Sequence, residues 1–164
     1  MRPLLASIAA ASMLAACAVG PLSADRVPVG ATRQDVLQRL GQPTRAVAIP
    51  GGERLQYSGQ PFGQFDWNVD LDAAGRVTRV HQALNALDFN RIVPGQWTRE
   101  DVEREFGPPA MVERVGNWNG PILTYRWRDR DRSDMFYWVY VDAGNVVQRA
   151  HQGMEFINAP NDHG

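Results

Sequence analysis

The chain carries the same unit twice, and this restricts the fold more than any other feature. Gly30-Ala31-Thr32-Arg33-Gln34-Asp35-Val36 returns as Trp97-Thr98-Arg99-Glu100-Asp101-Val102, and Leu40-Gly41-Gln42-Pro43 as Phe106-Gly107-Pro108-Pro109, at an offset of 66 residues. The offset becomes 68 for Leu55 and Tyr57 against Leu123 and Tyr125. It is 70 for Val69 and Asp72 against Val139 and Asp142, and 69 for Gly75 against Gly144. It changes only where turn residues fall, as in duplicated units with variable loops.

Each copy spells out the same elements. Thr32 with Asp35, and Thr98 with Asp101, form capping pairs that satisfy the free N–H groups of a helix start. Val36 and Leu40, like Val102 and Phe106, lie four apart on one helical face. Gly41 and Gly107 suit a left-handed helix end, and Pro43 and Pro109 prevent continuation. Strand-like runs follow near 44–49, 53–58, 64–72 and 76–82, with counterparts near 110–116, 121–128, 133–142 and 145–152. Gly-rich and Asp/Asn-rich breaks between them read as hairpin turns, so the sheets are expected to be antiparallel. The predicted class is α+β: two tandem repeats, 30–82 and 95–152, each a helix packed on a four-stranded antiparallel sheet. Residues 83–94 read as a linker and 153–164 as a polar tail. A unit of this size buries too little surface to stand alone comfortably, so the two are expected to pack together.

The N-terminus decides the compartment. Met1-Arg2 is a short positive stretch, Pro3 to Met13 is apolar and small, and Leu14-Ala15-Ala16 leads into Cys17. Residues 1–16 read as a secretory signal peptide. Cys17 is the one cysteine of the chain, so it has no internal disulfide partner, and Leu-Ala-Ala-Cys resembles a bacterial lipobox whose cysteine is lipidated. By the bacterial sorting pattern, Ala18 rather than aspartate after the cysteine implies the outer membrane. Acyl chains at ~0.8 kcal/mol per buried CH₂ anchor a protein without a membrane-spanning helix. Residues 17–29 then read as a lipid-anchored tether.

The lipobox, Val29 to Val36, Leu40-Gly41-Gln42-Pro43, Tyr57 and the turn from Asp72 to Val77 together resemble the SmpA/OmlA (BamE-like) family of outer-membrane lipoproteins. The doubled arrangement resembles the beta-lactamase-inhibitor-protein fold. These resemblances imply a periplasm-facing, lipid-anchored, non-catalytic protein-interaction module serving outer-membrane protein assembly or envelope maintenance. Its partners would be envelope proteins. The inhibitor-like fold implies an alternative, a periplasmic protein that blocks an enzyme through its sheet face.

Catalytic and cofactor chemistry find little support. There is no Gly-x-Ser-x-Gly elbow, and Ser58 and Ser133 have no histidine close in sequence. His81 and His151 end the last strand of each copy without other ligand-type residues at metal spacing. The run Asp66 to Asp72 has Leu71 where a calcium loop needs glycine, and period-two alternation explains it better. No catalytic residue, metal or cofactor is expected. With 17 basic residues (all arginine) against 18 acidic ones, nucleic acid is not an expected partner either, and nothing points to a small-molecule substrate.

The informative contrast comes from laying one copy on the other. Inward positions agree, Val69 and Leu71 matching Val139 and Val141. Outward, Asp66, Asn68 and Asp70 become Phe136, Trp138 and Tyr140, so an acidic face turns into an aromatic stripe. Arg126 and Arg128 on the neighbouring strand lie beside it, and Arg149 and His151 can join from the last strand. Aromatics interleaved with arginine are the composition of interface centres. Phe136, Trp138, Tyr140, Arg126 and Arg128 are therefore the candidate partner-binding residues. The competing expectation is that the first copy, the linker or the tail covers the stripe. Asn68, at the place equivalent to Trp138, suggests that the fold tolerates a polar side chain there.

Overall fold

The helices are set by their caps. The Thr32 side chain accepts from Asp35 N–H while the Asp35 carboxylate accepts from Thr32 N–H, opening α1 (Arg33–Leu40). Thr98 and Asp101 open α3 (Arg99–Phe106) in the same way. Both helices stop at a glycine with positive φ, Gly41 at 81° and Gly107 at 72°. A computed structural model describes residues 21–155; the expected signal peptide (1–16), Cys17 and residues 156–164 of the expected tail lie outside the described residues.

β1 (Arg45–Ile49), β2 (Gly52–Ser58), β3 (Asp66–Asp72) and β4 (Val77–Gln82) form one four-stranded antiparallel sheet in sequence order. β5 (Met111–Glu113), β6 (Ile122–Arg128), β7 (Asp134–Val141) and β8 (Val147–Met154) form a second. The protein is a mixed α+β fold with two such sheets and few helices. The sheets share one register. Gln56 pairs with Asn68 and His81 with Asn68, as Thr124 pairs with Trp138 and His151 with Trp138. Even the irregularity recurs, between Asp70 and Leu71 and between Tyr140 and Val141.

Each sheet has its own apolar cluster on its inward face. The first joins Val36 and Leu40 of α1 to Leu55, Tyr57, Val69, Leu71 and Val77. The second joins Val102 and Phe106 of α3 to Leu123, Tyr125, Trp127, Val139 and Val141. Tyr57 O–H donates to the carbonyl of Gly41 at 3.1 Å and Tyr125 O–H to that of Gly107 at 2.9 Å, tying each helix end to its sheet.

Several boundaries differ from expectation. Part of the presumed tether is structured: Pro21–Arg26 is a 3-10 helix, and Ala24 and Val27 are buried in the first cluster. The linker is likewise part of a core. Its one-turn helix α2 (Ala86–Phe89) brings Leu84, Phe89 and Ile92 into the second cluster, with Phe89 stacked on Tyr137 at 4.0 Å between ring centroids. Small residues, or a few apolar ones without periodicity, hid both segments. β5 is shorter than expected and β8 runs two residues further, to Met154. Among the described residues no helix is long and apolar enough to cross a membrane.

Candidate protein-interaction face

The outward face of the first sheet is acidic as the alternation suggested, but it is not open. Asp66, Asn68 and Asp70 of β3 and Arg54 and Gln56 of β2 are all buried. What covers them is the C-terminal turn of α3. The last carbonyls of a helix have no partner inside it, and here side chains of the first sheet supply the donors. Gln56 Nε2 donates to the carbonyls of Glu103 (3.2 Å) and Arg104 (3.0 Å), Asn68 Nδ2 to that of Glu105 (2.7 Å), and Arg54 to that of Arg104 (3.1 Å). Arg54 also grips both oxygens of Asp70, at 2.6 and 3.0 Å, and reaches Glu105 at 3.2 Å. Arg45 meets Glu103 at 3.1 Å. The polar pattern of β2 and β3 is thus a socket for the negative end of a helix.

One group in that socket is poorly served. Asp66 is fully buried, and neither carboxylate oxygen makes a hydrogen bond of ordinary geometry. It lies against Gly107, where an added Cβ would stand 2.0 Å from Oδ2. Burial pushes its carboxyl up to about 7, with only partial relief from the Ser58 hydroxyl and the Arg54 charge. The end of α3 acts in the same direction as burial.

Among the described residues no helix end covers the equivalent face of the second sheet, although Ile122 and Thr124 of β6 are buried on it, Thr124 donating to Glu113 at 2.7 Å. Phe136, Trp138 and Tyr140 are partly exposed there, spaced by the strand's alternation. Phe136 and Trp138 lie 5.5 Å apart, and His151 packs its ring on Trp138 (5.2 Å) and Tyr140 (5.4 Å). Arg149 sits over Tyr140 at 3.8 Å, a cation–π contact that holds the guanidinium in place. The linker lies on the other side of the sheet, so it does not cover the stripe.

The two named arginines divide. Arg126 is at the face but engaged, meeting Glu155 at 2.7–2.8 Å and donating to the carbonyl of Pro61 at 2.7 Å. Arg128 lies at the β6–β7 hairpin tip, exposed and paired with Asp134 at 3.0 Å. It also borders a cavity of about 480 Å³ lined by Leu87, Trp127, Met135 and Gln152.

Two contributors escaped the sequence reading. The loop Gln60–Phe62 of the first half reaches the Arg126 end of the face, with Gln60 Nε2 donating to the Arg126 carbonyl at 2.6 Å. It leaves Phe62 93% exposed at the rim. At the opposite end Trp118 meets Tyr140 edge-on at 5.3 Å and donates to the Val141 carbonyl at 3.0 Å. Both sit in Gly- and Asn-rich loops, where sequence gives turn chemistry but no direction.

His81 is held by Asp88 at 2.7 Å, and no cluster of three or more metal-type ligands occurs among the described residues.

No family model matches the chain, and no curated protein matches it. Among solved structures, a DUF4309 family protein, YjgB from Bacillus subtilis, is similar over 76% of this chain and 79% of its own. The identity is 15% and the TM-score 0.33, a likeness too slight to assign a fold family or an activity.

Proposed function

We propose that this chain is a lipid-anchored, periplasm-facing outer-membrane lipoprotein. It acts as a non-catalytic protein-interaction module in outer-membrane protein assembly or envelope maintenance. In this reading each half is a helix-on-sheet repeat of the SmpA/OmlA type. The observation that carries it is the contrast between equivalent faces: α3 seals the first, while the second leaves an aromatic stripe partly open with Phe62 beside it. An exposed phenylalanine at the rim of an aromatic and arginine-bearing face has the composition of a binding hot spot. The same face between its two flanking loops suits the alternative, a protein that occludes an enzyme, and the identity of the captured partner separates the two.

Two variants test the face. Trp138→Asp is expected to weaken partner binding by ~2 kcal/mol or more, as for a central interface aromatic. Its stability cost should stay near ~1 kcal/mol because the ring is only half buried. Phe62→Ala should weaken binding with a stability change within ~0.5 kcal/mol, since so exposed a side chain has little packing to lose. Melting temperature and partner recovery are measured on each. A collapse of stability in Trp138→Asp would reclassify the stripe as core. Asn68 does not vouch for tolerance there, because it is buried and hydrogen-bonded to α3.

Anchoring has its own test. Cys17→Ser should abolish incorporation of a fatty-acid analogue and leave unprocessed precursor. Equal labelling of wild type and variant would refute the lipoprotein assignment.

A further inference from the structure

The two outward faces share a register, and the occupant of one is in view. On the first sheet, donors from Arg54, Gln56 and Asn68 meet the carbonyls of a helix end, and the flanking Glu103 and Glu105 pair with Arg45 and Arg54. On the second, the donor excess persists in other residues. The Trp138 indole, the Tyr140 hydroxyl, the His151 ring and the Arg149 guanidinium make no hydrogen bond among the described residues. The acceptors nearby are already engaged, Glu113 by Thr124 at 2.7 Å and Glu155 by Arg126 at 2.8 Å. Between the loops carrying Phe62 and Trp118 lie the five residues Phe136 to Tyr140, roughly 15 Å of strand. One α-helix, ~10–12 Å across, fits that width. A second copy of this face would bring arginine against arginine, which disfavours self-pairing.

Building on the interaction reading above, we infer that this face receives the C-terminal turn of an α-helix from a partner protein, its free carbonyls flanked by acidic side chains. The chemistry is that of the first socket, with indole, phenol and guanidinium donors replacing amides. Aromatic rings seat the apolar side of the incoming turn.

The test titrates the full isotope-labelled chain with two stapled helical peptides that differ only in the last turn, Glu-x-Glu-Gly against Arg-x-Arg-Gly. The acidic peptide is expected to shift the Trp138 indole and His151 resonances with Kd below about 1 mM. The basic peptide should bind at least about tenfold more weakly, and Trp138→Ala should remove the response. No shift at millimolar acidic peptide, or equal response to both peptides, overturns the inference. Vesicles containing phosphatidylglycerol that shift Trp138 where the acidic peptide does not would overturn it in favour of a lipid surface. Self-association lost in Trp138→Ala would overturn it in favour of a second copy. A photo-crosslinker at position 62 separates this inference from the reading beneath it. Crosslinking to an envelope protein without peptide binding defeats only the helix-end inference, whereas neither result defeats both.

Discussion

Arg54→Ala should cost about 3–5 kcal/mol of stability, the usual consequence of removing one partner from a buried ion pair. Arg54 is 7% exposed and holds Asp70, Glu105 and the Arg104 carbonyl together. Without it, Asp70 remains buried with its countercharge gone, and a carbonyl at the end of α3 loses a donor. Because the site joins the two halves, the loss should also reduce the cooperativity of unfolding. Chemical denaturation followed by far-ultraviolet circular dichroism measures both. A change below 1 kcal/mol would show that the socket does not hold the halves together. Replacing Arg54 and Asp70 together with apolar residues should recover part of the loss, since well-packed hydrophobic substitutes often match a buried pair.

Stability should fall as the pH rises from about 4 to about 7, and the slope should vanish in Asp66→Asn. Burial pushes the folded-state carboxyl of Asp66 up to about 7 from its ordinary value of 3.8. Between those values the native state binds a proton that the unfolded state has released, so rising pH favours unfolding. The stabilisation is fully present below about 4 and lost above about 7. The shift of roughly three pH units, at 1.36 kcal/mol per unit, sets a ceiling of about 4 kcal/mol. At pH 8 Asp66→Asn should therefore melt above wild type, an uncommon gain from a substitution in a buried position. The other shifted aspartates lie on the opposite side. Hydrogen bonds from the caps and turns hold Asp35, Asp101 and Asp142 below their ordinary range, so their contribution is lost only as the pH falls below about 4. Melting temperatures at pH 5 and pH 8 decide the matter. A wild type equally stable at both, or a variant no more stable at pH 8, would refute the role given to Asp66.

How far the sequence led depended on the range of the interactions involved. Thr32-x-x-Asp35 and Thr98-x-x-Asp101 are local devices, each complete within four residues, and were legible directly. The strands were legible because alternation and turn residues are also local, and the changing repeat offsets reproduced the shared register. The fate of each outward face was not local. Asp66, Asn68 and Asp70 read as outward-facing because polar residues on alternate strand positions usually are; Asn68 meets Glu105 and Asp66 lies against Gly107, both far away in sequence at the end of α3, while Asp70 meets Arg54 across the sheet. The only sequence trace of that burial was the cluster of amides and one arginine, Arg54, Gln56 and Asn68, facing the acids. Leu84 and Phe89 were missed for a related reason: a one-turn helix has no periodicity to detect, yet its aromatic stacks on Tyr137 in the core. The aromatic stripe was found by comparing the copies, but Phe62 and Trp118 at its ends were not, because loop direction is decided by tertiary contacts.

The most direct test is solvent exchange of the tryptophan indole protons in the full-length chain, residues 156–164 included. If the outward face of the second sheet is the unfilled counterpart of the socket that α3 fills, the Trp138 indole N–H exchanges rapidly, while that of Trp127, 2% exposed in the second core, stays protected. Protection of Trp138 to the level of Trp127 would mean that the face is already covered, and would contradict its role as a binding surface.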